Sequence, residues 1–333
     1  MASTLTRRAF RISRAGIEMI SKDPELLALA GERLAQYETP ARGDAAIRYT
    51  LIGQAPGNGR PFGLPAEAEL LHEDGTTRYF DYRGLWIASM TFATVFLNRA
   101  TNNLVAFARA EDLRKPSRQE EILYPLFELL RRHGVYAHHA ASVSLEGKGA
   151  LLLGPSGQGK TTLSVDLLHR GFDFLGDDRC FLREGADGFE VLGYYEPVRY
   201  FPANFGHLEE LASAGESSTL PELGNGKRQL DLRAIGSYRG GIVDSSALTA
   251  LVFPRYSPRE PSSRIEPLSP GEALIALLPL TMVCFDRATS EAHFRFCAKL
   301  TAALPAARLI MGRDRERWHL LMRDFLSSAP GRG

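Results

Sequence analysis

Short apolar runs separated by polar turns dominate the first third of the chain, and this pattern predicts strands more often than helices. Phe10 and Ile12 alternate with polar neighbours, which predicts an exposed first strand. A helix is expected at 24–37, and further strands are expected at 46–52, 68–72, 78–82 and 85–92. These elements predict a small α/β domain over residues 1–116 that binds a substrate or a partner, with a turn-rich surface loop at 53–61.

A longer amphipathic segment follows and is expected to open a second domain, residues 117–333. Ser117 and Glu120 have the spacing of a capping box, in which the two side chains satisfy backbone N–H groups at a helix start. Apolar residues then recur at helical spacing as far as His133, and Gly134 follows as a helix-ending residue. The pattern therefore predicts one helix across this segment.

The second domain is predicted to continue as a mixture of strands and helices. Two apolar runs, 142–146 and 150–153, are expected to pair as a hairpin around Gly147. Ser269 and Glu272 match another capping box, which predicts a further helix start. The other expected elements are strands at 189–194, 198–201, 248–253 and 307–311, helices at 208–213, 273–278 and 314–327, and a polar loop at 216–227.

Charge and cysteine content limit the classes of function. The chain of 333 residues has 40 basic and 39 acidic residues, so nothing in the charge balance indicates binding to nucleic acid or to an anionic membrane. No apolar run reaches the roughly 18 residues that span a bilayer. Cys180, Cys284 and Cys297 form no C-x-x-C motif, which indicates packing residues rather than a zinc site and fits a reducing, cytoplasmic location.

The N-terminus superficially resembles a twin-arginine export signal. Arg7 and Arg8 lie in a basic segment, but Glu18 and Asp23 interrupt the apolar stretch that such a signal requires. The segment is therefore interpreted as the first strand, and the protein is expected to stay in the cytoplasm.

The clearest motif is a phosphate-binding loop that fits G-x-x-x-x-G-K-[ST] at every fixed position. An apolar run before it predicts a strand, and 161–169 predicts a helix, so its N–H groups can form an anion site at a helix start. Lys160 can reach the β- and γ-phosphates, and the Thr161 hydroxyl can bind Mg²⁺. A glycine-rich turn that matches by chance is the alternative. The expected nucleotide-binding residues are Gly154, Pro155, Ser156, Gly157, Gln158, Gly159, Lys160, Thr161 and Thr162.

Two adjacent acids follow the predicted helix. Asp177 and Asp178 come after an apolar run at a predicted strand end, where one carboxylate can hold Mg²⁺ while the other takes a proton from an incoming hydroxyl. The alternative is a pair of helix-capping or turn acids. His138 and His139 lie upstream of the loop, and a histidine beside an apolar run is more often a core residue than a catalytic one.

His139, the loop and the acidic pair occur together in "HHAASVSLEGKGALLLGPSGQGKTTL" and "RGFDFLGDD". In order and spacing this segment, about 133–183, resembles bacterial HPr kinase/phosphorylase, and the chain resembles an HPr-kinase-related serine kinase. The resemblance implies an α/β fold with a phosphoenolpyruvate-carboxykinase-like kinase core and a mixed sheet. It also implies ATP, Mg²⁺ and transfer of a phosphoryl group to a serine hydroxyl.

The roles that follow from the resemblance can be placed on individual residues. Thr161 and Asp177 would share Mg²⁺, Asp178 would be the base, and His139 would hold the two carboxylates in register. Thr162 stands where the family has Glu, so one metal-side carboxylate is absent. The family's later R-G-x-G signature survives only in part, at Arg239.

These departures favour an acceptor other than HPr. A peptide or protein serine is expected; a small-molecule hydroxyl, or a nucleotide-dependent switch with slow ATPase activity, stays open as an alternative. Lys227 and Arg228 follow a flexible Gly-Asn-Gly and, with Arg239, are candidate phosphate or substrate contacts, although a solvated loop explains them equally well. A homo-oligomer also stays open.

Overall fold

The structure is a computed structural model, and it describes the chain except residues 1–3, 41–44, 55–63, 76, 206–210, 212, 214–225, 239–240, 282–285 and 330–333. The expected loops at 53–61 and 216–227 and the expected helix at 208–213 lie largely outside the described residues. The chain divides into two compact units, Met1–Val135 and Tyr136–Gly333.

A nine-stranded sheet forms the first unit, in the order β3-β1-β2-β4-β9-β8-β7-β6-β5. Its β2–β4 and β4–β9 pairs are parallel and the remaining pairs are antiparallel. The expected first strand is confirmed as β1, whereas β2, β3, β8 and β9 were not predicted. The strands are β1 Thr6–Ile12, β2 Ala15–Ser21, β3 Glu38–Thr39, β4 Ile47–Gly53, β5 Glu69–Asp74, β6 Thr77–Tyr82, β7 Leu85–Met90, β8 Ala93–Asn98 and β9 Asn103–Ala108.

The helices of the first unit are α1 Pro24–Gly31, which continues as a 3-10 turn Glu32–Tyr37, then α2 Ala110–Leu113, α3 Pro116–Glu121 and α4 Tyr124–Arg132. The single helix predicted from Ser117 is wrong in two respects. Lys115 is the N-cap of α3, and among the described residues no side chain caps this helix start. Pro125 lies in the first turn of α4, because a residue without an N–H fits a helix start and breaks a helix interior.

These helices belong to the first unit. The Tyr49 hydroxyl on β4 donates to the carbonyl of Ile122 at 2.6 Å, and the Gln119 amide donates to Glu32 at 2.8 Å. The division between the units therefore lies after Val135, later than the expected division between 116 and 117.

A mixed nine-stranded sheet forms the centre of the second unit, in the order β10-β14-β15-β18-β12-β11-β13, with β20 beside β18 and β19 beside β20. The expected hairpin is confirmed as the antiparallel β11–β12 pair, and β18 is parallel to both β12 and β20. A separate pair joins β16 and β17. The strands are β10 Val135–His138, β11 Ala140–Leu145, β12 Lys148–Leu153, β13 Asp173–Gly176, β14 Cys180–Gly185, β15 Gly188–Gly193, β16 Val198–Tyr200, β17 Arg228–Leu230, β18 Ser245–Tyr256, β19 Arg264–Leu268 and β20 Ala306–Met311.

Helices cover both faces of this sheet, which is why β12 is apolar at consecutive positions. Leu151 and Leu153 pack in one core with Phe296, and Leu152 packs in another with Leu163 and Trp318. The Ser269–Glu272 capping box is confirmed. The helices are α5 Lys160–His169, α6 Pro270–Leu277, α7 Arg287–Ala303 and α8 Trp318–Ser328, and the 3-10 turns are Pro202–Asn204, Leu232–Ala234, Leu278–Leu280 and Arg315–Arg317. Within the described ranges, none of the helices has the length and apolar character that crossing a bilayer requires.

Candidate active site

The glycine-rich loop joins the end of β12 to the start of α5, as the sequence predicts. Gly157 and Gly159 have φ angles of 86° and 93°, in the left-handed region that favours glycine. A Cβ added at Gly159 would also lie 3.0 Å from the Cε atom of Met311. The loop backbone therefore requires glycine here, and it leads directly into a helix N-terminus, where N–H groups attract anions.

Lys160 lies inside the loop and is only 7% exposed. Its Nζ donates to the carbonyl oxygens of Gly154 at 2.6 Å and Pro155 at 3.2 Å, and it lies 3.2 Å from Nε2 of His139. Burial lowers the pKa of Lys160, while the charges of the two aspartates act in the opposite direction. The ammonium group is therefore positioned at the centre of the loop.

Asp177 follows β13 and lies against the first turn of α5. The Thr161 hydroxyl donates to its Oδ2 at 2.7 Å. The other oxygen, Oδ1, is buried and accepts no hydrogen bond from the residues that the structure describes. Burial raises the pKa of Asp177 to about 6, partly opposed by the hydrogen bond from Thr161. The predicted metal-side pair is thus brought together, with one carboxylate oxygen available to a cation.

Asp178 turns the chain so that two consecutive carboxylates reach one pocket. Its φ of 70° is in the left-handed region, which Asp and Asn tolerate better than most residues. Nδ1 of His139 lies 3.1 Å from its Oδ1, and an Arg199 nitrogen lies 3.9 Å from its Oδ2. Burial raises the pKa of Asp178, but the hydrogen bond from His139 and the charges of two nearby arginines outweigh burial and lower the pKa to about 2. The carboxylate is therefore ionised at neutral pH.

His139, Lys160, Thr161, Asp177 and Asp178 line one cavity of about 530 Å³. Its wall includes residues that sequence reasoning missed: Glu196, Arg199, Asn204, Tyr256, Met311, Arg315 and Trp318. They come from separate strands and turns, so no local motif indicates them. Arg199 is the exception, since it lies between the buried Val198 and Tyr200 in a short strand, and this alternation indicates a side chain on the other face.

The remaining predicted residues are placed differently. Lys227 lines the cavity, with its Nζ 5.4 Å from the centre of the Phe201 ring. Arg228 belongs to β17 and is not among the described residues that line the cavity. Arg239 lies outside the described residues. Thr162 lines the cavity, and its hydroxyl accepts a hydrogen bond from Asn204 at 3.4 Å.

Two curated proteins match part of the chain, and both are named HPr kinase/phosphorylase. The protein from Chlorobium phaeobacteroides is 35% identical over 78 residues, which cover 21% of this chain and 23% of that protein. A segment of this chain is similar to HPr kinase/phosphorylase. The protein from Mycoplasma mycoides subsp. mycoides is 37% identical over 60 residues, 18% of each chain.

The relationship covers only a part of each protein, since the chain spans less than a quarter of the length of these curated relatives. No protein-family model matches the chain. Among solved structures, the Hpr(Ser) kinase/phosphatase from Coxiella burnetii is 13% identical, with a TM-score of 0.29, over 56% of this chain and 94% of that one. The predicted resemblance is confirmed at the level of a partial relationship.

Proposed function

We propose that the second unit is an ATP-dependent kinase that transfers the γ-phosphoryl group of ATP to a serine hydroxyl of a peptide or protein. One observation carries the proposal. The Thr161–Asp177 pair and the His139–Asp178 pair meet at the phosphate-binding loop in a single cavity. The partial relationship to HPr kinase/phosphorylase supports the same reaction class.

The loop supplies the nucleotide-binding part of the site. Its N–H groups and the α5 N-terminus would bind the phosphates, and Lys160 would exchange its contacts with the Gly154 and Pro155 carbonyls for phosphate oxygens. Tyr256 and Trp318 form an aromatic part of the cavity wall on which a base can pack. The cavity volume is within the range of small-molecule sites.

The residues present also fit Mg²⁺. The buried Oδ1 of Asp177 has no hydrogen-bond donor among the described residues, and the Thr161 hydroxyl lies beside the same carboxylate. Hard oxygen ligands of this kind suit Mg²⁺, which usually binds through one or two carboxylates and the substrate phosphates. Bound there, the ion would offset negative charge on the phosphates. Because Thr162 replaces the family's Glu, we expect the ion to bind mainly as Mg-ATP.

Asp178 is the proposed base. The serine oxygen forms a bond to the γ-phosphorus, the bond from this phosphorus to the bridging oxygen of ADP breaks, and the serine proton passes to Asp178. His139 holds Asp178 by the contact of 3.1 Å and is a positioning residue. The Asp178 side chain is 42% exposed, so an acceptor can approach it from outside the protein. This exposure favours a peptide over an enclosed metabolite.

The acceptor can be identified by labelling. The full chain with Mg²⁺ and γ-labelled ATP is incubated with a peptide extract, with a metabolite extract, with HPr, or alone, and Lys160→Ala serves as control. Label on serine in peptides that disappears with Lys160→Ala is the expected result, and label on HPr would identify HPr itself as the protein acceptor. Label only in metabolites would replace the proposal by a small-molecule kinase. Release of free phosphate alone would replace it by a nucleotide-dependent switch.

A further inference from the structure

A second group of reactive side chains lies in the core of the second unit, and the proposed kinase reaction does not use it. His138 on β10 and Cys297 on α7 are 0% exposed, and His293 on α7 is 4% exposed. Nε2 of His138 lies 3.4 Å from Nε2 of His293 and 3.7 Å from Sγ of Cys297. One ligand atom from each residue lies within 4.8 Å of the other two. Three metal-binding side chains therefore converge on one point.

A backbone contact at Nδ1, the ring nitrogen that does not face the other two residues, sets the orientation of His138. Its Nδ1 lies 3.3 Å from the backbone carbonyl oxygen of Tyr136, and a carbonyl can only accept a hydrogen bond, so Nδ1 carries the proton. Nε2 then carries the lone pair, and this is the atom that faces His293 and Cys297. A histidine whose second nitrogen donates to a carbonyl is the usual arrangement around a metal.

The two candidate ligands on α7 lie on the same side of the helix. His293 and Cys297 are four residues apart and therefore lie on one face of the helix. In a tetrahedral zinc site, bond lengths of about 2.0–2.1 Å to nitrogen and about 2.3 Å to sulfur place ligand atoms about 3.3–3.4 Å (N to N) and about 3.6 Å (N to S) apart. The observed separations from His138 Nε2, 3.4 Å to nitrogen and 3.7 Å to sulfur, agree with both values.

We propose that His138, His293 and Cys297 bind one Zn²⁺ ion that fastens α7 to β10. Imidazole nitrogen and thiolate sulfur are the ligands that zinc selects, and Cys297 would lose its proton on binding. Three protein ligands leave one coordination position for a further ligand. The sequence prediction of packing cysteines without a zinc site rested on local spacing, but His138 and His293 are 155 residues apart and only the fold brings them together.

Cobalt and zinc test the site directly in the full chain. Protein produced in medium with Co²⁺ as the added metal should show thiolate-to-cobalt charge-transfer absorption. Protein loaded with Zn²⁺ should contain one equivalent and melt about 5–10 °C above chelator-stripped protein when free zinc is about 100 times Kd. Cys297→Ser should lose both effects. Cys180→Ser, a matched change at another buried cysteine, should keep both.

For each variant, the melting temperature of the zinc-loaded protein is compared with that of the chelator-stripped protein. A packing defect lowers both temperatures equally, whereas loss of zinc binding removes the difference between them. Absence of the cobalt band and of bound zinc in the unmodified protein overturns the proposal without reference to any variant. A band that persists in Cys297→Ser, or disappears in Cys180→Ser, also overturns it.

Discussion

His138 and His139 are consecutive in the chain and have opposite surroundings. His138 is fully buried against His293, whose ring stacks on Tyr136 with centroids 4.8 Å apart. The His139 side chain is 39% exposed and contacts Lys160 and Asp178 in the cavity. His138 ends β10 and His139 lies in the bend before β11, so one dipeptide supplies a side chain to each region. A histidine pair can thus serve two sites that share only their backbone.

The two regions also differ in the ionisable groups that they hold. In the cavity, the pKa of Asp177 is raised to about 6 and that of Asp178 is lowered to about 2, although the residues are adjacent. Divergent pKa values in neighbouring acids are a frequent feature of sites with an acid–base function. Around His138 the proposed zinc ligands are two imidazoles and one thiol, and the thiol would lose its proton on binding. We therefore expect changes in the cavity to affect turnover, and changes around His138 to affect stability.

The largest effect is expected for Asp178→Asn. Loss of the base should cut transfer by roughly 10²- to 10⁴-fold and leave Mg-ATP affinity nearly unchanged. Asn tolerates the left-handed backbone at this position, so the variant should fold. Steady-state kinetics and nucleotide titration measure both quantities.

The companion variant is Asp177→Asn, which should weaken Mg-ATP binding as well as turnover because the cation loses a charged ligand. If instead Asp178→Asn loses nucleotide binding and Asp177→Asn keeps it, the two roles are exchanged. Full activity in both variants would contradict the kinase proposal.

Lys160→Ala should lower transfer by about 10²-fold or more, because a preorganised charge aimed at the transferring group is removed. The melting temperature should stay close to that of the unmodified protein, as the side chain contacts loop carbonyls and not the apolar core. Turnover assays with thermal melts test this, and near-normal turnover would mean that the loop takes no part in catalysis.

His139→Ala and His138→Ala test the comparison of the histidines directly. His139→Ala should lower turnover by roughly 10- to 100-fold through misplacement of Asp178. Loss of the hydrogen bond from His139 raises the pKa of Asp178, so the acid limb of the pH–rate profile should move to higher pH. His138→Ala should lower the melting temperature and leave that limb in place. The same pH shift in both variants would show that the two regions are not separate.

The sequence predicted the parts of the site that local patterns encode. The loop needs glycines at 157 and 159 for its φ angles, and the hairpin of β11 and β12 carries His139 to Lys160. Helix α7 was not predicted, because its buried positions include Thr289, His293 and Thr301, which weaken the apolar pattern. Contacts between distant segments, such as Arg199 with Asp178, depend on the fold and have no signature in spacing.

The smallest effect concerns stability and the buried carboxyl of Asp177. Its pKa in the folded protein, about 6, lies above the ordinary value of 3.8, so the folded state binds the proton more tightly than the unfolded state. The stability that this group contributes is therefore fully present below about pH 4 and is lost as the pH rises through about 6. A shift of about two units corresponds to about 3 kcal/mol at most.

Asn is uncharged at every pH, so without nucleotide and with a chelator Asp177→Asn should be more stable than the unmodified protein at about pH 8, and this advantage should shrink towards about pH 5. Asp178 acts in the opposite sense, since its lowered pKa makes its contribution present above about pH 4 and lost towards pH 2. Asp178→Asn is therefore the matched control and should show no such trend between about pH 5 and 8. Denaturant unfolding across this range is the measurement.

A difference in the free energy of unfolding between Asp177→Asn and the unmodified protein that stays constant with pH would mean that Asp177 is not held protonated by burial. A stability difference that grows from about pH 5 to about pH 8 would show that the buried Asp177 carboxylate costs stability. The buried histidine cluster, once metal-bound, would instead add stability.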